Sequence, residues 1–215
     1  MVNSEIRQHA RTALQGYWWK SVGLIVILGL INLIPQFIAK SVDTTLVNVI
    51  AFVVEIILSV MVTAATSYYF LFASRGNSPT YGDVMKYGMD HVWPFLKLTF
   101  LVGLKTLAWT LLFIIPGIIA SIRYSQAFFI RIDQPDLSTV QCINASKEMM
   151  KGKKWQYFVL GLSFIGWWFL TIFTLFIGML WLTAYIRTAF AKFYDSLIDA
   201  KDTSLNMDVD PFSKQ

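Results

Sequence analysis

Apolar residues run along this chain in long blocks, and short polar stretches carrying most of the charge separate them. Tyr17 to Ile34 is the first block, opened by Trp18 and Trp19 and closed by Pro35. Thr45 to Ala73 is the second, and Arg75-Gly76-Asn77-Ser78-Pro79 ends it with strong turn residues. A third apolar stretch runs from Trp93 to Ile130 with one interruption, Pro116-Gly117, and a fourth runs from Trp155 to Tyr194. A membrane span needs ~20 apolar residues. The second block is therefore long enough to tilt, and each of the last two stretches holds two spans. The third span falls at Pro94–Ile115, the fourth at Ile118–Ile130 plus part of the turn. The turn of the last pair falls within Thr171–Gly178. The fourth segment is short and contains Arg123, so a re-entrant helix is the competing reading.

The fold this predicts is all-α: six transmembrane helices in three hairpins, at about 17–73, 93–131 and 155–195. Residues 1–200 form a single transmembrane domain, with a disordered cytoplasmic tail at 201–215. Polar to amphipathic segments at 2–16, 80–92 and 137–152 are predicted to lie on the cytoplasmic interface. In the last of these, Val140, Ile143, Ala145, Met149 and Met150 recur at helical spacing opposite Gln141, Asn144, Lys147, Glu148 and Lys151. Ser138 followed by Gln141 has the spacing of a capping box. A helix on the membrane surface and a solvated loop helix both fit it.

Composition agrees with the pattern. The chain has 215 residues, 56% hydrophobic and only 14% charged, with a mean hydropathy of +0.55. A soluble domain carries about 25% charged residues. The first apolar run is too long for a signal-peptide core and reads as a retained span. The net charge of +5 sits mostly in segments that would share one side. Arg7, Arg11, Arg75, Lys86, Arg131, Lys147, Lys151, Lys153, Lys154 and Lys201 fall there, against Lys40 on the other side. The positive-inside rule then puts both termini in the cytoplasm. Trp18, Trp19, Trp93 and Trp155, with Lys151, Lys153 and Lys154, read as interfacial anchors.

A short motif repeats. Leu14-Gln15-Gly16-Tyr17-Trp18-Trp19 matches Met150-Lys151-Gly152-Lys153-Lys154-Trp155 as apolar-x-Gly-x-x-Trp, and Gly88 with Trp93 echoes it loosely. It fits a triplicated hairpin, and equally a shared need for interfacial anchoring.

Glu55, Lys105, Arg123 and Arg187 are ionisable residues placed inside predicted spans, while Lys97 lies near an end and can snorkel. At 1.5 Å per residue, Arg123 is ~9 Å from the outer turn, Arg187 ~13 Å, and Glu55 and Lys105 ~15 Å from their nearer helix ends. Charge at that depth costs roughly 2.5–3.5 kcal/mol per residue on insertion scales and so demands a partner. Either Glu55 pairs with an arginine across hairpins, or the group lines a cavity for something anionic such as a lipid phosphate or an acidic solute. Proton coupling through Glu55 is a third possibility.

Enzymatic constellations are missing. His9 and His91 lie near the inner surface, Cys142 is a lone cysteine, and no GxSxG, HExxH or phosphate-binding glycine loop occurs. No cofactor, no metal and no nucleic acid are expected. Membrane lipids with anionic head groups are the expected partners. A membrane-protein partner is the alternative, with the chain acting as an assembly factor, a regulator or a peptide-docking receptor.

Four segments carry a resemblance. They are Ile115-Pro116-Gly117-Ile118-Ile119-Ala120, Arg123-Tyr124-Ser125-Gln126-Ala127-Phe128, Ser146-Lys147-Glu148-Met149-Met150-Lys151-Gly152 and Leu162-Ser163-Phe164-Ile165-Gly166-Trp167-Trp168. Over roughly residues 4 to 198 the chain resembles the bacterial integral membrane proteins grouped as domain of unknown function 975, common in Gram-positive bacteria. It departs from them at Thr183-Ala184-Tyr185, where a proline is expected before the tyrosine. A weaker likeness is to the membrane domain fused to some glycerophosphodiester phosphodiesterases. The resemblance implies a multi-pass protein of the bacterial cytoplasmic membrane and carries no assigned activity.

Overall fold

The computed structural model describes residues 2–41, 44–167, 171, 174 and 178–209, the last nine of them as backbone alone. Every described element is a helix. In chain order they are α1 (Asn3–Ala13), α2 (Trp18–Ser41), α3 (Thr45–Ser74), α4 (Tyr81–Asp90), α5 (Val92–Leu112), α6 (Ile114–Tyr124), α7 (Ala127–Asp133), α8 (Thr139–Met149), α9 (Lys154–Leu162) and α10 (Gly178–Val209).

Among the described residues three helices are long and apolar enough to cross a membrane: α2, α3 and α5. At 1.5 Å per residue they measure ~36, ~45 and ~31 Å, against a hydrocarbon core of ~30 Å. Phe37, Phe52, Leu111, Phe113 and Ile114 are all more than half exposed along them or just beyond. An apolar belt of that extent belongs in lipid. The protein is a membrane protein.

The other expected spans differ. Residues 118–130 are not one helix but parts of α6 and α7, broken at Ser125-Gln126. The predicted turn at Thr171–Gly178 falls largely outside the described residues; of the tail expected to be disordered at 201–215, residues 201–209 continue α10 as helix and 210–215 lie outside the described residues. Pro35 does not end α2, which continues to Ser41 with Pro35 buried inside it. A proline costs the helix one hydrogen bond, but in an apolar setting abandoning the helix would leave many more groups unpaired. The turn of the middle hairpin is at Phe113, whose backbone is extended, and not at Pro116-Gly117. Pro116 sits in the first turn of α6, where a missing N–H leaves no bond unmade.

Packing converges on α10. Its Ala184 joins Leu24, Leu28, Tyr69 and Val84 in one cluster. Tyr194 joins Leu71, Leu98, Tyr124, Ile130 and Ile143 in a second. Leu182, Ala189, Phe193 and Leu197 meet Ile6, Ala10, Met150 and Leu160 in a third. Ala184, Thr188, Ala189 and Ala191 are fully buried. Small residues on one helix let several neighbours approach closely, which is how packing is gained where lipid removes the hydrophobic drive.

The segments expected at the interface are helical. α8 opens with the expected capping box: the Gln141 N–H donates to Ser138 Oγ at 3.3 Å and the Ser138 N–H donates to Gln141 Oε1 at 2.7 Å. Cys142, Ile143 and Ser146 face inward. Val140, placed on the apolar face by its spacing, is 51% exposed instead. Gly16 and Gly152, the glycines of the repeated motif, share a left-handed backbone at φ 85° and 72°, each closing an amphipathic helix. Gly88 has no such role; it lies inside α4 against the Met61 carbonyl. The repeat is thus real at two positions, and the third echo is not equivalent.

Candidate functional site

The structure separates the four charges that the sequence placed inside spans. Glu55 Oε1 accepts from Gln36 Nε2 at 3.0 Å, so its partner is an amide on α2 and not an arginine. Arg187 Nη1 donates to Thr66 Oγ1 at 3.4 Å. Thr66 and Glu55 share α3 but lie ~16 Å apart along its axis. Arg187 and Glu55 therefore do not meet. Lys105 and Arg123 are half-buried, and among the described residues neither side chain has a hydrogen bond or an ion pair. Ion pairs form instead between Arg75 and both Asp133 and Asp195, between Lys192 and Asp195, and between Lys151 and Glu148.

Lys105 and Arg123 belong to one hairpin. α5 and α6 run antiparallel, and Gly117 sits so close to Thr110 that an added Cβ would lie 2.2 Å from Thr110 Oγ1 and 2.9 Å from Thr110 Cα. This close approach sets the register. Counting from it at 1.5 Å per residue, Arg123 lies ~9 Å and Lys105 ~7.5 Å away in the same direction. A groove of ≈ 210 Å³ runs beside it, lined by Trp109, Pro116, Ile119, Ala120 and Arg123. Lys105 is one turn from Trp109 on the same face of α5.

Just past Arg123 the helix breaks, and α8 fills the gap. The Ser146 hydroxyl donates to the Arg123 carbonyl at 2.9 Å and accepts from the Gln126 N–H at 3.2 Å. One side chain thus replaces the missing rung of the helical ladder. Gln126 is fully buried; its Nε2 donates to Ser125 Oγ at 2.8 Å, while its Oε1 has no partner among the described residues.

The larger cavity lies elsewhere. It measures ≈ 490 Å³ and is lined by Arg11 of α1, Trp18 of α2, Trp167, Thr171, Thr174, and Gly178, Trp181, Leu182 and Tyr185 of α10. Its volume falls in the ~300–1,000 Å³ range of small-molecule sites. α1 is held on α10 by burial of Ile6 and Ala10 and by the Tyr185 hydroxyl, which donates to the Arg7 carbonyl at 3.2 Å. Trp181, Leu182 and Tyr185 recur at the spacing of one helix face. The cavity wall is thus aromatic, with a guanidinium at one side.

In the sequence none of these residues reads as part of a cavity: Trp18 reads as an anchor, Arg11 as a loop charge, Thr171 and Gly178 as the bounds of a turn, and Trp167 and Tyr185 only as positions in the resemblance. The other residues expected to be anchors, Trp19, Trp93 and Trp155, are 76%, 72% and 73% exposed. Lys151 and Lys153 are exposed beside them and Lys154 is half-buried. Arg11 stays exposed and escapes sequence reasoning because only the docking of α1 puts it at the mouth of a cavity. Sequence reasoning also misses a cluster at the ends of α3 and α7 and the middle of α10, where Arg75 binds Asp133 and Asp195 together. Along the chain those three look like unrelated charges at segment ends.

Residues 104–201 match a family model described as Protein of unknown function (DUF975). All four segments that carried the resemblance lie inside that stretch; the match begins well after residue 4. No curated protein and no solved structure matches the chain.

Proposed function

Taking that family match as the premise, we propose that this protein is a multi-pass protein of the bacterial cytoplasmic membrane that binds an anionic lipid or small acidic solute. The site is the cavity beside Arg11. The observation that carries the reading is the pairing of a guanidinium with Trp18, Trp167, Trp181 and Tyr185 around ≈ 490 Å³ of space. Aromatic and aliphatic walls accept a hydrocarbon part, and arginine suits a phosphate or carboxylate because its planar fork donates two parallel hydrogen bonds. Six spans with both termini in the cytoplasm remain the topology favoured by the loop charges. In that arrangement Arg11 lies at the cytoplasmic interface, where anionic head groups are found.

The role is binding or movement of the ligand without chemical turnover. Neither His9 nor His91 lines the cavity.

The test is lipid retention by protein purified in nanodiscs, read by native mass spectrometry. Arg11→Gln should lower retention of phosphatidylglycerol by roughly tenfold, the weight of one charged hydrogen bond. Trp181→Ala should weaken it without changing the preference for an anionic head. Unchanged retention in both variants, with normal folding, would sink the reading.

A further inference from the structure

We infer that the α5–α6 hairpin carries a second, separate lipid site, in which the phosphate of an anionic membrane lipid sits between Arg123 and Lys105. One acyl chain lies along Trp109, Pro116 and Ile119.

Charge comes first. Arg123 and Lys105 are half-buried in the α5–α6 hairpin, at nearly the same height, and neither has a protein partner among the described residues. Among those residues no carboxylate faces them in an ion pair: Glu55 is bound to Gln36, and Asp133 and Asp195 are bound to Arg75. Two uncompensated cations in an apolar hairpin call for an anion from outside the chain. Thr106, one turn from Thr110 on the face that meets α6, adds a buried hydroxyl with no partner.

Shape selects the kind of anion. The groove at ≈ 210 Å³ is too small for a whole amphiphile. Its remaining walls, Trp109, Pro116, Ile119 and Ala120, are apolar, with Trp109 45% and Ile119 41% exposed. A head group with the start of one chain fits it, the rest of the lipid staying in the bilayer. A fully soluble anion would gain nothing from those walls.

Position is fixed from two sides. Gly117 against Thr110 sets the height of Arg123 relative to Lys105. Ser146 holds the Arg123 carbonyl where the helix breaks. The cation therefore stands on a pre-formed backbone, which lowers the ordering cost of binding.

The experiment uses the full chain in phosphatidylcholine nanodiscs with a fixed fraction of phosphatidylglycerol, counting tightly bound lipids by native mass spectrometry. Wild type should retain two phosphatidylglycerols. Arg123→Gln and Lys105→Gln should each remove one, with the affinity of that site falling roughly tenfold, while Arg11→Gln removes the other. Ile119→Trp, which fills the groove and leaves both charges, should also remove the Arg123 lipid and serves if the charge variants fold poorly. Equal counts in wild type and all three hairpin variants would overturn the inference while leaving the Arg11 cavity standing. Loss of the lipid to millimolar inorganic phosphate would overturn it too, by making the site one for a soluble anion. Retention of phosphatidylcholine as strongly as phosphatidylglycerol would do the same.

Discussion

Arg75 and Asp133 meet fork to fork, Nη1 to Oδ1 at 2.8 Å and Nη2 to Oδ2 at 2.6 Å, while Arg75 Nε reaches Asp195 Oδ1 at 3.0 Å. Arg75 caps α3, Asp133 ends α7 and Asp195 lies in α10. One guanidinium thus ties together a helix from each of the three predicted hairpins. The two carboxylates raise the affinity of Arg75 for its proton well above the ordinary value, so it stays charged. Ser74 Oγ donates to the second oxygen of Asp195 at 2.9 Å, and Lys192 lies 3.9 Å from it.

Arg75→Gln and Asp133→Asn should each destabilise the protein by about 1–2 kcal/mol. Surface pairs contribute only ~0–1 kcal/mol, but a bidentate pair in a network exceeds that. Arg75 is about a third exposed, so the larger figures of fully buried pairs do not apply. Thermal unfolding of a double-mutant cycle in detergent measures the coupling. Strictly additive effects would show that the pair stabilises nothing.

Ser146→Ala should cost about 1–3 kcal/mol, because it leaves the buried Gln126 N–H without an acceptor. The loss should be local. Hydrogen exchange should accelerate at the amides around Ser125 to Ala127 while α2 and α3 keep their protection. Uniform acceleration across the protein would mean that Ser146 is not a local splint.

Gly117→Leu should prise α5 and α6 apart, since even a Cβ would come within 2.9 Å of backbone at Thr110. Overpacking of this kind costs typically about 1–3 kcal/mol. Thr110→Ala should rescue only part of the loss, because it removes the hydroxyl and leaves the α5 backbone in the way. Cysteine crosslinking between the two helices reads the separation, and full rescue would place the clash in the side chain alone.

Cys142 is fully buried on α8, and burial pushes its thiol above the usual 9.0, against the opposing influence of Arg131. It should resist maleimide at pH 7–8 in the folded protein and label fully once unfolded. The unfolded chain releases this proton at lower pH than the folded one. Stability should therefore fall as pH rises from about 9 toward the folded value, then level off. Cys142→Ala removes that contribution, so the difference between the two unfolding profiles isolates it. Identical profiles, or rapid labelling at pH 7, would contradict the burial.

Much of the fold was legible because it is local and periodic. Apolar blocks longer than ~20 residues and low charge identify a helical membrane protein on length alone. The capping spacing of Ser138 and Gln141, and the matched glycines at 16 and 152, stated their roles within a few residues of sequence. Prolines were harder. Pro35 reads as a stop and Pro116 as a corner, yet one is buried within a helix and the other begins one. A proline's own preference does not say whether neighbouring helices make continuation cheaper than a break.

What the chain alone determined, then, is that it is helical, that it holds helices apolar and long enough for a membrane, and that four ionisable groups lie in apolar stretches. The tertiary structure alone decided their company. Glu55 went to Gln36 and Arg187 to Thr66, Lys105 and Arg123 were left at nearly the same height on one hairpin, and Arg11 was carried to an aromatic cavity. Partnership depends on which helix faces pack, and residues of α3 and α10 recur through most of the buried clusters. Helical period and hydropathy repeat within a segment, whereas a contact between residues a hundred positions apart leaves no trace in either.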